Sequence, residues 1–151
     1  MYSRGPMLFS GYYKLPAKTQ SAFCGEWFSA GDMARQDTEG CFYLIDRKDN
    51  LIISGGEHIY PSEVEEVLTC HPKIFEAAVI GLPDDKWGEK VIAVVSLKDK
   101  ASACEEEIIE FCRDKMAAYK KPKTVKFVPV KDMPKTASGK ILHRELRRLF
   151  S

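Results

Sequence analysis

The chain has 151 residues, enough for one domain or for one domain and part of another. At 44% hydrophobic, 30% charged and 11% aromatic it has the make-up of an ordinary soluble globular protein, which excludes a disordered or fibrous one. Its 23 Lys and Arg nearly balance 22 Asp and Glu, so a net charge of +1 names no partner, and no apolar run is long enough for a membrane-spanning helix. The charge is nonetheless uneven. Residues 113–148 hold 12 basic and 3 acidic side chains, whereas 84–110 hold 8 acidic and 4 basic. A basic C-terminal third suits a polyanionic ligand such as a nucleotide, CoA or nucleic acid, and equally suits a solvated helix surface.

Residues 1–40 are punctuated by Gly5-Pro6, Gly11, Pro16, Gly25, Gly31 and Gly40. Short strands and turns are predicted there in preference to helices. CFYLID (41–46) and NLIIS (50–54) read as strands around the polar Arg47-Lys48-Asp49, and Gly55-Gly56 breaks the second. Ser62 and Glu65 have the spacing of a capping box ahead of a helix burying Val64, Val67 and Leu68. EAAVIGL (76–82) and KVIAVVSL (90–97) are short apolar strands joined by a turn carrying Trp87. Ser102 and Glu105 form a second capping-box pattern, opening a helix with Ile108, Ile109, Cys112 and Met116 on one face that ends at Lys120-Lys121-Pro122. TVKFVPV (124–130) is a third strand, and a last helix places Leu142, Leu146, Leu149 and Phe150 on one side. From about residue 50 onward this predicts a small α+β domain with three strands, preceded by what looks like the end of something else.

The five cysteines (Cys24, Cys41, Cys70, Cys104, Cys112) are odd in number and include no C-x-x-C pair, which argues for a reducing compartment and against a zinc site. His58, His71 and His143 have no metal-ligand spacing, so no metal site is expected in the chain. MYSRGPMLF lacks a signal-peptide core and RLFS is not a peroxisomal S-K-L, so a cytoplasmic location is expected. PKTASGK (134–140) has the look of a phosphate loop, but it fails the G-x-x-x-x-G-K-[ST] requirement. Pro134 lacks the N–H that the first glycine supplies, and Ile141 cannot ligand magnesium.

Four ordered segments carry a family resemblance: FSAGD (28–32), DRKDNLIISGGEHIYPSEVEEVL (46–68), GLPDDKWGEKVIAVV (81–95) and PKTASGK (134–140). They resemble the adenylate-forming superfamily of AMP-dependent synthetases and ligases, and in particular its acyl-CoA synthetase branch. SRGPMLFSGYYKLPAKT near the start resembles that branch too, and SGGEHIYPSE is unlike the R-G-x-R-I-E segment of peptide-synthetase adenylation domains. The resemblance implies a division into residues 1–45, the final short strands of a large AMP-binding domain, 46–50, a hinge, and 51–151, a C-terminal lid. The lid is expected to be a three-stranded sheet flanked by helices plus a β-hairpin. It also implies a two-step activity: acid and ATP give acyl-AMP and pyrophosphate, then CoA displaces AMP. ATP, CoA and magnesium follow as cofactors, with the magnesium site and the acid pocket in the large domain. A fatty acid is the expected acid, and the chain alone is expected to be inactive.

The site residues follow from the same resemblance. Lys140 is the cation that bridges the carboxylate and the α-phosphate, two anions whose approach needs a positioned positive charge. Asp32 accepts hydrogen bonds from both ribose hydroxyls, as two carboxylate oxygens can, and Arg47 reaches the ribose. The family often has threonine where this chain has Ala30. Asp49 is the hinge about which the lid rotates between the half-reactions. Gly55 and Gly56 face the pantetheine arm of CoA, where a side chain would obstruct it; Glu57, Trp87 and Lys121, with Lys120 and Lys123 nearby, complete the CoA face. Two rival readings are a docking subunit without activity of its own, and a basic module whose KILHRELRRLF helix binds nucleic acid with steep salt dependence. The second leaves the glycines and Asp32 without a role, and no nucleic acid partner is expected.

Overall fold

A computed structural model describes residues 1–151. The chain divides into two compact units, Met1–Asp49 and Asn50–Ser151.

The first unit contains one helix, α1 (Pro16–Ala22), where only strands and turns are expected from the sequence. Pro16 stands at its start with a preset φ, and the Thr19 hydroxyl ties the entry by accepting from the Tyr12 N–H at 2.9 Å. Strands β1 (Phe23–Cys24) and β2 (Trp27–Phe28) form a minimal hairpin. Strands β3 (Asp32–Gln36) and β4 (Phe42–Arg47) form a longer one, whose turn is held by Asp37 Oδ1 accepting the Glu39 and Cys41 N–H groups. Phe9, Tyr12, Phe23 and Phe28 make edge-on and tilted ring contacts. No hydrophobic side chain of this unit is buried, and Phe42 and Leu44 on β4 are about two-thirds exposed.

The second unit is built on β7 (Ile74–Asp84) and β8 (Gly88–Leu97), an antiparallel hairpin whose long apolar runs reflect burial of both faces. Strand β9 (Thr124–Phe127) lies parallel to β8 on the side away from β7. Strands β5 (Ile52–Ser54) and β6 (Glu57–Ile59) form a hairpin that joins the same side of β8 through the Ser54–Gly88 pairing. The expected three-stranded sheet with a separate hairpin is therefore one five-stranded sheet. Gly55 and Gly56, with φ of +61° and +84°, are the two-residue turn of β5–β6, a conformation that needs positive φ at both positions.

Helices α2 (Pro61–Thr69) and α3 (Glu105–Phe111) cover one face of the sheet, where Val64, Leu68 and Ile108 pack with Val79, Val91 and Ala93. Helix α4 (His143–Phe150) covers the other, burying Leu146 against Ile80, Ile92 and Val94. Each such fully buried aliphatic side chain contributes about 1.5–3 kcal/mol. Leu149 does not join this core and is 60% exposed, and Leu142 stands outside the helix as its N-cap. Helix α3 ends at Phe111, earlier than expected, and Met116 packs on the core from the following turns.

Neither expected serine stands at a helix N-cap. α2 is capped at Tyr60 with Pro61 leading, and α3 at Cys104, both without a side-chain cap bond. The two glutamates turn to the sheet instead. Glu65 Oε1 accepts the Val79 N–H at 2.7 Å, and Glu105 Oε1 accepts the Val125 N–H at 3.0 Å.

Candidate functional site

In the first unit Asp32 and Arg47 face each other as a register pair across the β3–β4 hairpin. Arg47 Nε stands 3.5 Å from Asp32 Oδ1, while its Nη2 donates to the Ala30 carbonyl at 2.6 Å. The Lys48 N–H donates to Gly31 O at 2.7 Å, which fixes the glycine before Asp32 in its left-handed conformation. The Asp32 side chain remains one-third exposed. Asp49 sits exposed in the 3-10 turn Lys48–Asn50, the last residue of its unit. In the second unit, the neighbouring Asn50 carbonyl accepts from Arg147 Nη2 of α4 at 3.1 Å.

Lys140 ends a closed loop. The Thr136 N–H donates to Lys140 O at 2.8 Å, the Lys140 N–H to Thr136 Oγ1 at 3.1 Å, and the Gly139 N–H to Thr136 O at 2.9 Å. Lys135 and Ile141 are bridged, and the Leu142 N–H reaches back to Pro134 O at 2.9 Å. Gly139 takes a φ of +85°, which the tight reversal requires. The backbone of Lys140 is thus held from both sides while its side chain is exposed. It forms no part of a phosphate-wrapping cradle.

A cleft of about 380 Å³ opens beside the β5–β6 turn, within the usual range of small-molecule sites. Ser54, Gly55, Glu57, Trp87, Tyr119 and Lys123 line it. The Gly55 N–H donates to Trp87 O at 2.8 Å, and the Trp87 ring lies over Gly55, where a Cβ would stand 2.9 Å from Cε3. Asp84 Oδ1 shapes the Trp87 turn by accepting the Lys86 and Trp87 N–H groups, both at 3.0 Å. Of the expected CoA-face residues, Gly55, Glu57 and Trp87 meet here; Gly56 and Lys121 lie outside the lining. Lys123 lines it, while Lys120 is engaged by Glu63, whose carboxylate raises the Lys120 pKa above its ordinary value. Tyr119 is a lining residue that the sequence reading missed; an aromatic immediately before a basic run was the available signal.

No group of three or more His, Cys, Asp or Glu side chains could hold a metal ion. No helix is long and apolar enough to cross a membrane.

The family profile described as the AMP-binding enzyme C-terminal domain matches residues 63–140, more than half of the chain. The chain belongs to this family. The matched span of the AMP-binding-enzyme domain includes the Trp87 turn, the β7–β8 hairpin and the whole Lys140 loop. The chain is 44% identical over 146 residues to the 2-succinylbenzoate–CoA ligase of Bacillus cereus strain ATCC 10987, covering 97% of this chain and 30% of the relative. Among solved structures it resembles o-succinylbenzoate CoA synthetase (MenE) from Bacillus subtilis in complex with the acyl-adenylate intermediate OSB-AMP, with a TM-score of 0.85 and 37% identity over 97% of this chain and 29% of that one. It also resembles the Mycobacterium tuberculosis fatty acyl CoA synthetase, with a TM-score of 0.70 and 41% identity over 99% of this chain and 29% of that one. The chain thus spans about 30% of the length of the curated relatives it matches.

Proposed function

We propose that this chain is the C-terminal part of an AMP-forming acid–CoA ligase. Residues 1–45 belong to the edge of a large AMP-binding domain, 46–50 are the hinge, and 51–151 are the lid. The observation that carries the reading is the pair of separate faces on the second unit: a closed loop presenting one exposed lysine, and a glycine-walled aromatic cleft. The names of its relatives support the CoA-ligase class. The absence of any buried hydrophobic residue in the first unit supports its reading as an edge of something larger.

In the first half-reaction a carboxylate oxygen of the acid attacks the α-phosphorus of ATP, the bond to the β-phosphate oxygen breaks, and pyrophosphate leaves. Lys140 is the cation that offsets the repulsion between the two anions. Asp32 accepts the ribose hydroxyls, with Arg47 beside it. The lid then turns at Asp49, and the CoA thiolate attacks the acyl carbon with AMP as leaving group. Gly55, Gly56, Glu57, Trp87 and Lys121 form the CoA face. Magnesium, where used, sits with the phosphates in the large domain, and the enzyme works in the cytoplasm. The acid is selected by the large domain; fatty acids are the class implied by the sequence resemblance, and 2-succinylbenzoate is the acid in the names of relatives.

The test joins this chain to the large domain of the Bacillus cereus relative and supplies 2-succinylbenzoate, ATP, magnesium and CoA. The 151-residue chain alone should release no AMP, and the fusion should. Lys140→Ala should lower acyl-adenylate formation by about 10²–10³-fold while sparing thioester formation from supplied acyl-adenylate. Gly56→Trp, at a position where an added Cβ meets nothing within 4 Å, should do the reverse. Equal damage to both half-reactions by both variants would overturn the division of roles.

A further inference from the structure

The Lys140 loop is tied to β7 at both of its ends, and each tie uses one carboxylate. On the entering side Lys135 Nζ stands 2.7 Å from Glu76 Oε2, with the two side chains 27% and 16% exposed. The second oxygen of Glu76 is buried and has no hydrogen-bond partner, so Lys135 is the cation that makes this buried carboxylate tolerable. On the leaving side, three residues after Lys140, His143 Nε2 stands 2.6 Å from Glu65 Oε1. That same oxygen accepts the Val79 N–H of β7 at 2.7 Å. Glu76 and Val79 are three residues apart on one strand, about 10 Å at the usual rise. The loop between the ties is closed by its own backbone bonds, so it has little freedom of its own to position Lys140.

We propose that Glu76 and Glu65 are positioning residues for Lys140, acting through Lys135 and His143 to clasp the loop to β7 and set where the ammonium group stands. This rests on the reading of Lys140 given above. The chemistry demands such control, because a stabilising cation acts only from a fixed place, and a misplacement of about 1 Å can cost about a hundredfold in rate. An unclasped loop would keep the lysine and lose its address. The two partners of the Lys135–Glu76 tie are unequal: removing Lys135 strands a largely buried carboxylate, whereas removing Glu76 leaves a lysine that can reach solvent.

The test uses the 151-residue chain first. Amide exchange is followed at Thr136, Gly139, Lys140 and Leu142 in wild type, Glu76→Gln, Glu65→Gln, Lys135→Met and the swap Glu76→Lys with Lys135→Glu. Loop exchange should rise about tenfold or more in the single variants, the factor expected from losing one charge-assisted hydrogen bond, and most in Lys135→Met. Exchange of Val91–Val95 in β8 should stay unchanged, and the swap should restore protection. In the fusion enzyme the same single variants should slow acyl-adenylate formation by about 10–100-fold and leave thioester formation from supplied acyl-adenylate near wild type. Unchanged loop exchange would overturn the proposal. So would equal loss of both half-reactions, the mark of a merely structural tie. If the loop loosens as expected yet Lys140→Ala adenylates normally, the catalytic reading of Lys140 falls, and that failure is distinct from a failure of the clasp.

Discussion

Alanine at Gly55 should destabilise the second unit more than alanine at Gly56, and the excess should depend on Trp87. Both glycines have φ in the left-handed region, so either substitution incurs the conformational cost of about 1–2 kcal/mol. They differ in what a Cβ would meet. At Gly55 it would stand 2.9 Å from Trp87 Cε3 and 3.2 Å from Cζ3, whereas at Gly56 there is nothing within 4 Å. Overpacking of this kind costs about 1–3 kcal/mol, and the lower end applies because the indole is 44% exposed and can swing outward. Gly56→Ala should therefore cost about 1–2 kcal/mol and Gly55→Ala about 1 kcal/mol more. Urea unfolding followed by far-ultraviolet circular dichroism measures both. Repeating the pair in a Trp87→Leu background should shrink the difference to near zero. Equal midpoints for the two variants, or a difference that survives Trp87→Leu, would refute the contact as the cause.

Stability should fall as pH drops below about 6.5 through a contribution from His71. Its side chain is buried against Phe111, and burial lowers its pKa from the ordinary 6.5, opposed by Glu107 and assisted by Lys73, Lys115 and Lys98. The folded state then binds this proton more weakly than the unfolded chain, so the contribution is complete above pH 6.5 and is lost as pH falls toward the lowered folded value. Urea midpoints across pH 7.5 to 5 should show a shallower dependence for His71→Asn, whose side-chain oxygen can still accept the Lys73 N–H that His71 Nδ1 takes at 3.2 Å; an unchanged slope would count against it. Thiol reactivity should separate Cys112, fully buried and with its pKa raised chiefly by that burial, from the exposed Cys24, Cys41, Cys70 and Cys104. Four thiols should titrate promptly with an aromatic disulfide under native conditions and the fifth only on unfolding; five equal rates would be inconsistent with this core.

What the sequence made legible was set by local pattern. The runs in β7 and β8 announced buried strands because both faces are covered, and the Gly-Gly step marked a break after β5 by residue type alone. Long-range pairing was not legible. The Ser54–Gly88 contact that merges the β5–β6 hairpin into the sheet joins residues 34 apart, and nothing in either segment names the other. The capping-box pattern misled for a related reason. Glu65 and Glu105 sit three residues after a serine, but Pro61 and Cys104 begin the helices elsewhere, and the carboxylates found strand N–H groups that local sequence does not contain. Residues 16–22 hide a helix because proline and the surrounding glycines read as turn signals, although proline is a favoured first helical residue. For the candidate site, Lys140, Asp32, Arg47, Gly55 and Trp87 stood out by motif, whereas Tyr119, Glu76 and His143 gain their places only through contacts with residues distant in sequence.

Both proposed faces hang on one β-hairpin, which constrains how they can act in turn. The Lys140 loop is clasped near the start of β7 by Glu76, and the aromatic cleft is built on the turn at the far end of the same strand, where Asp84 holds Trp87 and Gly88 pairs with Ser54. Glu76 and Asp84 are eight residues apart, about 26 Å along an extended strand. That strand is stiffened from both sides: Val79 and Ala77 are packed beneath α2, and Ala78 and Ile80 beneath α4. Within so packed a strand, the Trp87 turn and the Glu76 clasp keep a fixed separation unless the sheet breaks. On the proposed function, serving both half-reactions falls to a movement of the hairpin as a body, and the polar Lys48–Asn50 turn is the segment that joins the two units. The Arg147 bond to the Asn50 carbonyl fixes the chain on the second unit's side of that turn, where the proposed hinge needs a firm footing.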